Sequence, residues 1–233
     1  MAKASDKALV EGSIDQMPAH IQKTAATGAG NENVSASDLE IPQLKLLQQM
    51  SPEVQKGTDS YVEGAEPGLI YNTLTGKVSE TVNLVNIRME KEVSVFRKRE
   101  FGGGGSGSFI GTFDTKPEAE AYLSDQGLAV SEYDVTDTAK HLVVVLDDTG
   151  APESEAVIFM SSTKLRTSNK WNSELLMTKA DRYASVWQLG VERLSNAKGT
   201  WSNFTIAFAG WCPPELLEYT KGVFDSVAPA SAA

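Results

Sequence analysis

"HLVVVLDDTGAPESEAVIFMSS", residues His141–Ser162, decides the fold. Its first arm, Leu142 to Leu146, is a nearly continuous β-branched and aliphatic run of the kind that fills a central strand. "DDTG" supplies turn chemistry through Asp147, Asp148 and Gly150, and "AVIFM", residues 156–160, returns as the second arm. The stretch therefore reads as a β-hairpin.

Working outward, a second hairpin follows the same logic: "SVWQLGVERL", the turn "SNAKGT", and "WSNFTIAFAG", residues 185–210. Trp187, flanked by Val186 and Leu189, reads as core, and so does Phe208. Between the hairpins, "KWNSELLMTKAD" suits a short helix. Upstream, "TVNLVNIRMEKEVSVFRKRE" alternates around Val82–Asn86 and again around Val93–Arg97, which reads as two strands. "FIGTFD" is a further short strand. "KPEAEAYLSDQG" is a helix with Pro117 near its start and Gly127 as its stop. Leu69–Tyr71 is a strand with "NTLTG" as its turn, and "PPELLEYTKGVF" is helical after its two prolines.

The expected fold class is mainly β: an OB-like Greek-key barrel with inserted short helices and a disordered N-terminal arm. The arm is residues 1–38, rich in Ala, Ser, Gly and Asn and too poor in apolar surface to offset its ordering entropy. The barrel domain spans 39–212, and 213–233 form a C-terminal helix and tail.

Composition removes several function classes. Cys212 is the single cysteine, so no intramolecular disulfide framework or multi-cysteine zinc site exists. His20 and His141 stand far apart and in no ligand-like spacing, so no metal and no cofactor are expected. No apolar run is long enough for a membrane span, and "MAKASDKALVEG" has no signal-peptide core. These point to a reducing cytoplasm. Ser161-Ser162-Thr163-Lys164 matches S-x-x-K, but its companion motifs are missing and its surroundings read as β. Gly102–Gly105 lack the Gly-Lys-Ser/Thr of a phosphate loop and read as a flexible hairpin tip or flap. Asp147-Asp148 is accounted for by the turn, without a metal nuclease. No catalytic constellation remains, and the chain reads as a non-enzyme.

The net charge is -10, yet charge is sorted along the chain. Residues 112–156 hold eleven acids against two lysines, whereas 157–211 hold seven cations against three acids. Residues 67–111 hold six cations against four acids, with Arg97, Lys98 and Arg99 consecutive. Rings interleave with these cations. Cations neutralise phosphates, rings stack on unpaired bases, and hydroxyls donate to phosphate oxygens. "SSTKLRTSNKW", Ser161–Trp171, carries all three. This pattern makes Arg97, Lys98, Arg99, Lys164, Arg166 and Lys170 the candidate phosphate contacts. Trp171, as an exposed ring, and Phe101 and Tyr183 are the candidate stacking rings.

Five blocks together resemble a family of bacteriophage single-stranded-DNA-binding proteins: "IPQLKLLQQMSPEV", "AEPGLIYNTLTG", "FRKREFGGGG", "KHLVVVLDDTG" and "MSSTKLRTSNKWNS". The resemblance runs from about Ile41 to Ser173. It implies an OB core, strand tracking in a basic groove, and a role in phage DNA replication or recombination in the cytoplasm of the infected host. Single-stranded DNA is the implied partner, with phage replication proteins as further partners and no membrane. Apart from the resemblance, a homodimer is expected through an exposed strand edge or through the C-terminal helix with Leu216, Leu217 and Tyr219. One departure stands out: such proteins end in a strongly acidic tail, whereas "GVFDSVAPASAA" holds only Asp225. The competing expectation is a phage structural or capsid-associated assembly protein, because an acidic surface and an all-β core suit that role equally.

Overall fold

The computed structural model describes residues 42–102, 108–197 and 199–227. The expected arm, most of the glycine-rich loop and Lys198 of the second hairpin's turn lie outside them. The described residues gather into one compact unit.

The deciding hairpin is present. Strand β6 (Tyr133–Leu146) pairs antiparallel with β7 (Pro152–Ser161), with His141 opposite Ile158. Asp147 closes the turn, its Oδ1 accepting from the Thr149 and Ala151 N–H groups at 2.8 and 2.9 Å. Gly150 takes the left-handed conformation there, φ +84°, which a β-carbon would resist. The second hairpin joins β8 (Ser185–Asn196) to β9 (Gly199–Trp211).

One expectation is corrected between these hairpins. The two strands read in residues 82–97 are a single sixteen-residue strand, β4 (Val82–Arg97). Strand β6 pairs with it from Leu84 to Arg97, and the register shifts between Asn86 and Arg88. That bulge inserts one residue and breaks the alternation that would have shown a continuous strand. β4 spends its other edge twice: Val82–Val85 pair with β8, and Val93–Phe96 pair with β5 (Phe109–Phe113).

The main sheet thus runs β7-β6-β4-β8-β9, with β5 beside the far end of β4. A three-stranded sheet accompanies it: β1 (Leu44–Leu46), β2 (Ile70–Asn72) and β3 (Val78–Ser79). The fold is mainly β and antiparallel, as expected. Its strands do not close into a barrel, since no pairing joins β7 to β9 among the described residues. After β7 the chain enters a helix, α2 (Leu165–Thr178), which touches β6, β7 and β9.

Three apolar clusters result. Beneath α2, Trp171 and Leu175 pack with Leu84, Val143, Ile158, Trp187 and Phe204. A second cluster, with Val85, Ile87 and Val144, is covered by Leu216 and Val223 of α3 (Pro214–Val227). The third joins Val93, Val95 and Tyr133 to Ala119 and Leu123 of α1 (Lys116–Asp125). Helix α1 begins at Thr115, whose hydroxyl caps the Glu118 N–H, and Gly127 follows at φ +69°.

Candidate nucleic-acid interface

The first basic run sits where β4 ends. Arg97 pairs with Tyr133 at the start of β6, and Phe96 lies opposite Phe109 at the start of β5. The β4–β5 register shifts between Val95 and Phe96. The Phe96 and Phe109 rings meet at 5.4 Å. Phe109 is 48% exposed and Phe101, at the near end of the glycine-rich segment, 41% exposed. Large rings left this open at the rim of a sheet are available for stacking.

Two cations flank the rings. The Arg97 guanidinium lies 3.7 Å from the Glu132 carboxylate, Arg97 exposed and Glu132 partly exposed. Such a pair contributes about 0–1 kcal/mol, little enough for a phosphate to replace it. Lys98 donates from Nζ to the Ser131 carbonyl at 2.7 Å, while its backbone N–H donates to the Glu132 carbonyl at 2.9 Å. The strand end is thereby anchored with its charges at the surface. The side chain of Arg99 lies outside the described part of the structure.

The second basic run is arranged differently from its sequence reading. Residues 165–171 are the start of α2, five residues before the helix was expected. Trp171, expected as an exposed ring, is fully buried. Helical spacing turns it to the face shared with Thr167, Ser168 and Leu175, where it stacks on His141 at 4.9 Å and meets Trp187 edge-on at 6.2 Å. It is a core residue. Lys164 is half-buried over the Phe204 ring at 5.8 Å, and burial pulls its proton affinity down. Arg166 is exposed and makes no ion pair among the described residues. Lys170 pairs with Glu174 one turn on, at 3.6 Å.

The two runs are not brought together. Along β6, Tyr133 marks the level of Arg97 and Thr138 that of Ser161, just before the second run. Five strand residues separate them, about 17 Å. Between them lies a groove of about 370 Å³ whose walls include Glu92, Asp114 and Asp137. Lys116 already neutralises Asp137 at 2.7 Å. Burial raises the proton affinity of Glu92. Tyr183 is elsewhere again: its ring packs on Phe224 of α3 at 5.2 Å, and its hydroxyl donates to Asp181.

Beneath α2 lies a polar layer that the sequence did not reveal. His141 Nδ1 is 3.0 Å from the Asn86 amide nitrogen, and Nε2 is 2.8 Å from the Ser168 hydroxyl. An amide nitrogen donates, so the ring accepts at Nδ1 and donates from Nε2 to Ser168. All three residues are buried. Burial, aided by the nearby Arg182 charge, lowers the His141 pKa to about 3, so the ring is neutral.

Three exposed rings also escaped the sequence reading. Phe109 could have been found by its place in sequence directly after the glycine-rich run, as Phe101 stands directly before it. Phe208, expected as core, is 48% exposed, and Trp211 is 56% exposed. Phe208 points to the same side as buried Phe204 and Ile206 but is not covered as they are. The register shift between Val186 and Trp187 leaves Ala209 unpaired and returns Trp211 to that side, 5.3 Å from the Phe208 ring.

No group of three His, Cys, Asp or Glu side chains able to hold a metal occurs among the described residues. No described helix is long and apolar enough to cross a membrane. A family model described as "Pam3 phage gp34-like protein" matches residues 6–232. No curated protein and no solved structure matches the chain.

Proposed function

We propose a function from the premise that the chain belongs to the Pam3 phage gp34-like protein family and is therefore a phage protein. It binds single-stranded DNA without strong sequence preference, during phage DNA replication or recombination in the infected host. The observation that carries this reading is the β4–β5 tip, where Phe101 and Phe109 stand exposed beside Arg97 and Lys98. Arg99 adds a third cation in sequence.

The chemistry favours strands over duplexes. A ring offers its face to any unpaired base, whereas bases in a duplex are already stacked. With net charge -10, the body repels a polyanion, so contact is confined to this local patch. OB domains bind strands with rings and cations on an antiparallel sheet, and the tip offers the same groups without barrel closure.

The test is fluorescence anisotropy of a labelled oligo-dT at low salt. Each ring removed by Phe101→Ala or Phe109→Ala is expected to cost about 1–3 kcal/mol, about 5- to 150-fold in affinity. Duplex of the same length binds more weakly. Equal affinity of the wild type and the double variant refutes the placement of the site.

A second reading, an assembly protein of the virion, is favoured by the exposed Phe208, Trp211, Leu176 and Met177 side chains. Detection of the chain in purified virions would support it, and its confinement to infected cells would support strand binding.

A further inference from the structure

Three strands meet at the β4–β5 tip, and their register sets one row of side chains across them. Phe96 of β4 lies opposite Phe109 of β5 on one side and opposite Asp134 of β6 on the other. Directly opposite residues of an antiparallel pair project from the same face, with β-carbons about 5 Å apart. The row Phe109, Phe96, Asp134 therefore stands on one face and spans about 10 Å from β5 to β6. The Phe96 and Phe109 rings, 5.4 Å apart, make the first contact of the row.

Asp134 differs from the neighbouring acid. Glu132 is engaged with the Arg97 guanidinium, and the register pairs Arg97 with Tyr133, on the other face from Phe96. The Asp134 side chain is exposed, and its carboxylate has no hydrogen-bond or ion-pair partner among the described residues. Beside a polyanion such a carboxylate repels every phosphate. It also attracts the donors on a base edge, and its two oxygens accept side by side.

The four bases differ in what they offer such a pair of acceptors. Guanine alone presents two adjacent donors on its Watson–Crick edge, N1–H and the 2-amino group. Adenine and cytosine set one amino donor beside a ring nitrogen that accepts. Thymine sets N3–H between two carbonyls, both of which a carboxylate repels.

We propose that Asp134 ranks the bases held at the tip: a base stacked on Phe109 and Phe96 turns its Watson–Crick edge to the carboxylate, and guanine is preferred. This rests on the strand-binding reading and refines it, since one favoured base at one position leaves the rest of the strand unread.

Fluorescence anisotropy of the full chain at low salt tests it with three labelled strands of equal length. One is all thymine, one alternates thymine with guanine, and one alternates thymine with hypoxanthine, the purine that lacks only the 2-amino group. Lithium buffer keeps the guanine strand unfolded. Guanine and hypoxanthine stack alike, so their ratio isolates the amino contact. The guanine strand should bind about fivefold more tightly than the hypoxanthine strand, the low end for a bidentate base contact because the carboxylate is exposed. The thymine strand should bind weakest. Asp134→Ala should make the guanine and hypoxanthine strands equal and raise affinity for thymine, because a repelling charge is gone. Glu100→Gln and Glu132→Gln remove charges nearby and should shift all three strands alike, keeping the ratio. Equal binding of the guanine and hypoxanthine strands by the wild type overturns the proposal and leaves strand binding at the tip standing. So does a guanine advantage that survives Asp134→Ala or vanishes in Glu100→Gln. Absence of binding to all three strands overturns the strand-binding reading itself, and this inference with it.

Discussion

Replacing His141 by Gln should flatten the dependence of stability on pH. The ring is buried, neutral, and bound on both nitrogens, by Asn86 and by Ser168, with Trp171 stacked on it and the Arg182 charge nearby. Its pKa falls from an ordinary 6.5 to about 3. The unfolded chain therefore takes up a proton on this ring near pH 6.5, and the folded chain does not until about pH 3. Between those values the unfolded state binds more protons, so stability is complete above 6.5 and declines as the solution is acidified. At about 1.4 kcal/mol per pH unit the whole gap is worth about 5 kcal/mol, an order-of-magnitude figure. Between about pH 8 and pH 5 the loss is about 2 kcal/mol, before most carboxylates titrate. Urea unfolding of wild type and His141→Gln across that range checks this. The variant is less stable at pH 8, by about 1–3 kcal/mol for its imperfect hydrogen bonds, but loses about 2 kcal/mol less on acidification. His20 is present in both proteins and cancels. Parallel curves would show that His141 is not held neutral by its surroundings.

Two further predictions follow from burial. Trp171→Ala should destabilise the fold by about 3–5 kcal/mol, measured by urea unfolding, while the protein that remains folded keeps its oligo-dT affinity; a stable variant with lost affinity would return Trp171 to the role of a stacking ring. Burial also pushes the Cys212 thiol up to about 11, and its S–H faces the Tyr183 carbonyl at 3.5 Å. Iodoacetamide should therefore alkylate native protein at pH 8 about a hundredfold more slowly than urea-unfolded protein, because only the thiolate reacts.

The hairpins were legible in the sequence because apolar strand arms and turn residues such as Asp147, Gly150 and Gly199 act locally. β4 was not, because the bulge at Ile87 shifts the face of every later side chain, and a period-two reading sees two strands. The start of α2 was hidden for another reason. Lys164 occupies its N-cap position and no side chain caps it, so the usual Ser, Thr or Asp signal has no helix to announce. Without a helix to set the period, Trp171 was judged by its neighbours Lys170 and Asn172, which are polar, rather than by Thr167 and Leu175, with which it is buried. The candidate site divides along the same line. Arg97, Lys98 and Phe101 are where consecutive strand-end residues had to be. The second run was joined to them only by its charge sign, and charge sign carries no distance. Phe208 and Trp211 depend on where α2 stops covering β9, which is a tertiary fact.

The salt dependence of oligo-dT binding tests the central claim most directly. If the β4–β5 tip is the contact surface, three cations neutralise phosphates and log K falls against log salt with a slope of about -2, which Arg97→Ala makes shallower by about 0.7. Absence of binding at low salt, or a slope that Arg97→Ala leaves unchanged, contradicts the account.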